Sequence, residues 1–162
     1  RAGGAGELVI EDGAEAGPRV LDREVLPSLA ASAAGRLAYA RRAPEGCELV
    51  LTAARAGAGR VLYRGASADR LAFREDGAAL AFVGTSPEGL AAVFVAPVDG
   101  APRQLTNRGL RPRPGGAPPG FVPPPLREGG LRFRGGALRY HAEDGDYVVD
   151  ARSGAARREA AP

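Results

Sequence analysis

The sequence is poor in the residues that most metal, redox and nucleophile chemistry needs. Its 162 residues include one cysteine, Cys47, and one histidine, His141. A single cysteine excludes an internal disulfide and a cysteine-based metal site. It leaves the compartment open, because disulfide-free proteins occur on both sides of a membrane. Lysine is absent, and all 22 basic residues are arginine. Without lysine no Walker-type loop forms, and neither Gly3-Gly4-Ala5-Gly6 nor Gly57-Ala58-Gly59 completes Gly-x-Gly-x-x-Gly. No apolar run approaches the roughly 18 residues of a transmembrane helix. Ile10, Asn107 and Gln104 are the only residues of their types. Alanine, glycine, proline and arginine crowd them out, as GC-rich coding would produce, so part of the basic pI is compositional. The chain begins at Arg1 without a methionine or an apolar signal core, and reads as a mature product, an excised piece or a fragment.

What is present suffices for a packed core: 44% of residues are hydrophobic and 25% charged. Twenty-four glycines and fourteen prolines exclude a coiled coil or long-helix bundle and favour many short elements joined by turns. Those elements recur. Leu80-Ala81-Phe82-Val83 follows Leu37-Ala38-Tyr39-Ala40 by 43 residues, and Arg103-Gln104-Leu105 follows Arg60-Val61-Leu62 by the same distance. Val93-Phe94-Val95 follows Leu49-Val50-Leu51 by 44; Leu8-Val9-Ile10 and Arg19-Val20-Leu21 precede their counterparts by 41. Ordered anchors at nearly constant offset indicate a repeat of about 42 residues.

Within each repeat the apolar runs are strand-sized, rich in Val, Leu, Phe and Tyr, and bounded by Gly, Asp and Pro. In the clearest unit the pattern predicts strands at Arg70 to Phe73, Leu80 to Gly84, Val93 to Pro97 and Arg103 to Thr106. Turns are expected at Glu75-Asp76-Gly77 and Asp99-Gly100, and a loop from Thr85 to Gly89. Helices at Leu26 to Tyr39 and Arg152 to Ala161 have alanine propensity in their favour, but Gly35 and Gly154 interrupt them. Four antiparallel strands in 40 to 45 residues is the unit of a β-propeller blade.

The run from Leu71-Ala72-Phe73-Arg74-Glu75-Asp76-Gly77 through Leu80 to Val83, Val93 to Val95 and Arg103-Gln104-Leu105-Thr106 resembles the TolB-type β-propeller repeat. That repeat reads Ser-Pro-Asp-Gly, an apolar strand, a strand ending near Asp-Gly, and a closing Leu-Thr. Here Arg74-Glu75 replace Ser-Pro. The preceding unit keeps the Ser and Gly of Ser32-Ala33-Ala34-Gly35 but lacks the Asp and the closing Leu-Thr. The resemblance covers residues 26–107, extends to Glu7 to Glu24, and weakens after Gly130. There Leu131 to Phe133, Ala137 to His141, Tyr147 to Asp150 and Ala156 to Glu159 are expected to form a shortened blade.

The expected fold class is therefore all-β: four-stranded propeller-type blades in an incomplete ring of about three to four. Residues 1–25 would be the last strands of a preceding blade, 26–66 a blade, and 67–109 the best-matching blade. Residues 110–127 would be a Pro/Gly/Arg-rich insertion and 128–162 a shortened blade. The insertion holds seven of the fourteen prolines between Arg111 and Pro125 and no Pro-x-x-Pro spacing, so it reads as an irregular solvated loop rather than a docking motif of that type. An incomplete ring leaves strand edges open to self-association, and the arithmetic favours a chain that is part of a longer protein.

No catalytic constellation emerges. His141-Ala142-Glu143 matches half of a zinc-deaminase signature whose cysteine half cannot exist here. Ser28, Ser32, Ser67, Ser86 and Ser153 lie outside any Gly-x-Ser-x-Gly elbow. Glu143, Asp144, Asp146 and Asp150 lack EF-hand spacing and read as an acidic hairpin. Cys47 is expected in a hairpin loop as an incidental thiol. The strongest functional signal is charge. Arg103 to Arg139 holds eight arginines against Glu128 alone, whereas Arg1 to Leu26 holds three arginines against six acids. Such a field attracts carboxylate or phosphate surfaces.

The reading is a non-catalytic protein-interaction or sensing module without cofactor or metal. Arg108, Arg111, Arg113 and Arg127 are the expected partner-binding residues for an acidic protein. The resemblance implies protein contacts in the bacterial cell envelope, often the periplasm, with the cytoplasm left open. Two alternatives stand beside it. One is a propeller accessory domain of a serine peptidase-type hydrolase whose catalytic part lies outside this chain. The other, a basic nucleic-acid or anionic-surface binder, is disfavoured because few aromatics interleave the arginines.

Overall fold

The computed structural model describes residues 5–12, 16–53, 59–87, 89, 91–106, 130–142, 145–152 and 156–159. Every regular element among them is a strand, in three antiparallel sheets. The first comprises β1 (Gly6–Asp12), β2 (Ala16–Ala31), β3 (Arg36–Ala43), β4 (Gly46–Ala53) and β5 (Arg60–Gly65), paired in that order. The second is β6 (Ala68–Phe73), β7 (Ala79–Thr85), β8 (Ala91–Pro97) and β9 (Arg103–Thr106). The third is β10 (Leu131–Arg134), β11 (Ala137–Ala142), β12 (Gly145–Asp150) and β13 (Ala156–Arg158). Each sheet is a meander. The strands expected from sequence in the second and third sheets appear within two residues of their bounds, and the helical alternatives do not form where residues are described.

The first sheet divides at a bend in β2. Residues up to Val25 pair with β1 and residues from Val25 onward pair with β3. Glu24 takes a positive φ of 57° just before the bend, a costly conformation for a non-glycine residue that the pairing on both sides holds in place. The later part of β2 with β3–β5 is here called blade 1, and the two following sheets blades 2 and 3. β6 adjoins β2 on one side and β10 on the other, and Ser28 Oγ donates to Asp69 Oδ1 at 2.7 Å across the first pair.

Turn chemistry fixes the blades locally. At the β6–β7 turn, Gly77 adopts φ 68° and its N–H donates to the Arg74 carbonyl. Asp76 Oδ1 accepts from the Ala78 N–H, and the Arg74 guanidinium grips both Asp76 oxygens at 2.8 Å. Arg74 thus braces the aspartate in place of the usual Ser-Pro. Blade 1 solves the same turn differently: Gly35 has φ 71° and Ser32 Oγ accepts from the Arg36 N–H at 3.1 Å, which accounts for a turn without aspartate.

Two apolar seams join the blades. Ala38, Ala40, Leu49, Leu51 and Leu62 of blade 1 meet Leu80, Phe82, Phe94 and Ala96 of blade 2. The alternate residues of blade 2, Ala81, Val83 and Val93, meet Leu131, Leu138, Tyr140, Tyr147 and Val149 of blade 3. Blade 2 is buried on both faces, so β7 and β8 read as continuous apolar runs instead of alternating ones. The Tyr63, Phe82 and Phe94 rings lie 5.1 to 5.3 Å apart. The Tyr63 hydroxyl donates to the Thr85 carbonyl and accepts from its N–H, both at 2.7 Å. A Cβ at Gly84 would lie 3.0 Å from that ring, which is why glycine stands there.

Candidate interaction surface

The repeated Arg-x-Leu that opens the fourth strand of each clear repeat is an interblade clamp. In blade 1 the register Ala30–Ala38–Leu51–Arg60 crosses all four strands in one row, and Ala72–Ala81–Val95–Arg103 is its equivalent in blade 2. The two alanines allow the neighbouring sheet to approach, and the arginine at the row's end reaches it. Arg60 Nη2 donates to the Val98 carbonyl at 2.7 Å, and its guanidinium also reaches Gly100 O at 3.3 Å, both in the β8–β9 turn. Arg103 Nη2 donates to the Ala151 and Arg152 carbonyls, 2.7 Å each, in the corresponding turn of blade 3. Arg36 adds a third link, Nη1 to Gly77 O at 2.8 Å. The planar guanidinium suits this, because one group serves two acceptors.

Beside the Arg103 clamp a cleft of about 590 Å³ opens between blades 2 and 3. Its floor is Ala79, Val95 and Pro97, and its walls carry Arg74, Arg103 and Arg152 with Asp150. Arg74 is committed to Asp76 and Arg103 to backbone carbonyls, whereas the Arg152 guanidinium has no bond among the described residues. The site can hold a carboxylate-bearing segment against an apolar floor.

A second polar assembly lies on blade 1. Asp22 Oδ2 accepts from the Tyr39 hydroxyl at 2.7 Å and from Arg41 Nη1 at 2.9 Å. Arg41 also grips Glu48 Oε2 through Nε and Nη2, at 3.0 and 2.7 Å, while Arg64 Nε holds Glu48 Oε1 at 2.8 Å. Burial alone would raise the Asp22 pKa, but the Tyr39 hydroxyl, the Arg23 N–H and Arg41 together bring it below the usual carboxylate value. Arg41 and Arg64 lower that of Glu48. Burial and the adjacent Asp22 push the Tyr39 phenol upward. Every strong charge here is answered, so the assembly ties β2 to β3, β4 and β5 rather than offering a reactive group.

Arg108, Arg111, Arg113 and Arg127 lie outside the described residues, as do Asn107 to Gly129, Glu143, Asp144 and Ser153. Of the same arginine-rich stretch, Arg103 serves as a clamp and Arg132, Arg134 and Arg139 stand on β10 and β11. His141 occupies β11, in register with Asp146. Ser28 bonds Asp69 and Ser67 bonds Thr85, 2.7 and 3.0 Å. Among the described residues no three His, Cys, Asp or Glu side chains gather as a metal site. Cys47 differs from expectation: it is the second residue of β4, 3% exposed within the first seam, not a loop thiol. Burial, with Glu48 beside it, raises its pKa to about 11. The clamp role was not read from the sequence, although its signal, arginine recurring ahead of leucine at the repeat spacing, was present.

No family model matches the sequence, and no curated protein matches it. Solved structures do. A TolB structure from Agrobacterium tumefaciens superimposes over 97% of this chain and 56% of its own, with TM-score 0.67 at 12% identity. TolB from Acinetobacter baumannii covers 94% of this chain and 37% of its own, TM-score 0.62 at 17% identity. The β-propeller domain of the Trilobed protease from Pyrococcus furiosus covers 82% and 43%, TM-score 0.52 at 13% identity. The chain thus folds as a stretch of TolB-like β-propeller, and spans about half or less of the propeller structures it matches.

Proposed function

We propose that this chain is a non-catalytic protein-interaction module of a TolB-like propeller, working in the cell envelope and engaging an acidic protein partner. The observation that carries the reading is the arginine-lined cleft between two rigidly clamped blades. It offers positive charge and an apolar floor in one concave surface. Arg108, Arg111, Arg113 and Arg127 add to the same field by their position in sequence, eight arginines against one acid from Arg103 to Arg139. Propellers present side chains on fixed strands and turns, a geometry suited to recognition. The TolB resemblance supports the envelope location.

The test is fluorescence anisotropy with a labelled glutamate-rich 12-residue peptide, against single-stranded DNA of equal length. Peptide binding should weaken as salt rises. It should fall about tenfold when Arg152 of the cleft wall and Arg108, Arg111, Arg113 and Arg127 are together replaced by serine, at about 0.2–1 kcal/mol per exposed charge. Equal affinity of the variant, or tighter binding to DNA, overturns the proposal. The likeness to the Trilobed protease propeller favours a second reading, an accessory domain of a hydrolase. In that case catalysis belongs to residues outside this chain, and a hydrolase domain encoded next to it would be the deciding observation.

A further inference from the structure

The cleft between blades 2 and 3 lies where the joint between blades 1 and 2 has a side chain. Arg36 and Ala79 are equivalent: each opens the second strand of its blade, just ahead of the matching Leu37 and Leu80. Arg36 crosses to the next blade and donates from Nη1 to the Gly77 carbonyl in the β6–β7 turn, at 2.8 Å. Blade 3 continues the same register, Arg132–Arg139–Val148–Arg157 matching Ala72–Ala81–Val95–Arg103. Its β10–β11 turn is therefore the counterpart of the β6–β7 turn, and Ala79 sends no arm across to it. Gly136 of that turn lines the cleft, and a Cβ built on it meets nothing within 4 Å. The Arg103 clamp still holds the two walls together. Both walls are consecutive blades of this chain.

The lining decides what fits. Ala79, Val95 and Pro97 form an apolar floor. Of the three arginines, Arg74 is paired with Asp76. Asp150 Oδ1 accepts from the Arg152 N–H at 3.0 Å, so its carboxylate offsets one of the other two charges. Arg103 is held by carbonyls, which leave its charge uncancelled. The cleft thus carries one net positive charge. It matches a single carboxylate, whereas a run of acids would bring further negative charge up to Asp150. Its volume of about 590 Å³ falls within the roughly 300–1,000 Å³ of ligand sites, room for a few small residues and not for a folded surface.

We propose, on the basis of the acidic-partner reading, that the cleft receives a short extended segment of that partner bearing one carboxylate between small apolar residues. The carboxylate meets Arg152, and its neighbours lie on the Ala79–Val95–Pro97 floor.

Fluorescence anisotropy with a labelled, end-capped Ala-Pro-Glu-Val-Ala peptide tests it. Replacing Glu by Gln in the peptide should weaken binding about three- to fivefold, the worth of one exposed charge. A Gly-Ser-Glu-Ser-Gly peptide should bind at least about tenfold more weakly, because it has little apolar surface to bury on the floor. The decisive variant is Ala79→Arg, which restores the arm that Arg36 provides in the preceding joint. Affinity should fall at least about tenfold, because the side chain takes the space the segment needs. A long-range field alone predicts the opposite, since the variant gains a positive charge. Arg152→Glu should cost about tenfold as well, by placing like charges together. Melting curves establish folding, and if Ala79→Arg does not fold, Arg152→Glu at its exposed position decides. If the glutamate-rich peptide binds but Ala79→Arg and Arg152→Glu leave Ala-Pro-Glu-Val-Ala affinity unchanged, the cleft assignment alone is overturned. If neither peptide binds the wild-type chain, the acidic-partner reading falls with it. N-acetylglutamate competing as well as the whole peptide would make the occupant a small acid and overturn the assignment to a segment.

Discussion

Removing the single oxygen of Tyr63 measures how firmly blades 1 and 2 are joined. Tyr63→Phe keeps the ring against Phe82 and Phe94. It leaves the Thr85 carbonyl and N–H without their shared partner, both of which it held at 2.7 Å. An unsatisfied buried polar group costs about 1–3 kcal/mol. Thr85 is only partly buried, so water recovers some of that, and the two groups together should cost about 2 kcal/mol. For a chain of this length each kcal/mol lowers the melting temperature about 2–4 °C, so a fall of about 4–8 °C is expected. Circular dichroism melts, with urea titration at 25 °C, supply both numbers. Gly84→Ala sharpens the test, because its Cβ would press on the Tyr63 ring tip at 3.0 Å. The hydroxyl bonds hold that tip in place, so the alanine should cost less in a Tyr63→Phe background than in the wild type. A loss below about 0.5 kcal/mol for Tyr63→Phe, or strict additivity of the two changes, refutes the reasoning.

Two further outcomes follow from the polar assembly and the buried thiol. Asp22 and Glu48 have lowered pKa values when folded. Their stabilisation is complete above the unfolded carboxylate values and is lost as pH falls through the folded ones. The urea midpoint should therefore decline below about pH 5, and Asp22→Asn should flatten part of that decline; an unchanged slope would contradict the assignment. Cys47, with a pKa of about 11 and 3% exposure, should react with Ellman's reagent at pH 8 at least about 100-fold more slowly in the native chain than in urea. Comparable rates would place the thiol outside the seam.

The blades were legible because each strand is a short Val/Leu/Phe run between Gly, Asp or Pro, and because the runs repeat. Even the third blade, weak as a repeat, appears with β10, β11 and β12 close to the segments expected for it. Other features depend on partners distant in sequence. The bend in β2 appears only when its two pairing strands are known. Cys47 looked like a loop residue beside Gly46, but the turn ends at that glycine and β4 carries the thiol inward. The equivalence of Arg157 with Arg103 was hidden by spacing: it lies 54 residues on, whereas Arg60 to Arg103 is 43. Register across β12 and β13 reveals it. The arginines first singled out came from charge density, which finds a field but not the geometry of any one side chain.

The clamps have an asymmetry that bears on how such a chain can change. Each donor is one particular side chain, but each acceptor is main-chain carbonyl oxygen: Val98 and Gly100 for Arg60, Ala151 and Arg152 for Arg103. Every residue type carries that acceptor. The exposed positions of the receiving turns, such as Asp99 and Arg152, can thus drift in side-chain identity while the joint between sheets persists, whereas Val98 is held by its burial in the first seam. Ala151 and Arg152 also line the cleft beside Arg103, so new binding specificity can be tried at those two positions without loosening the stack.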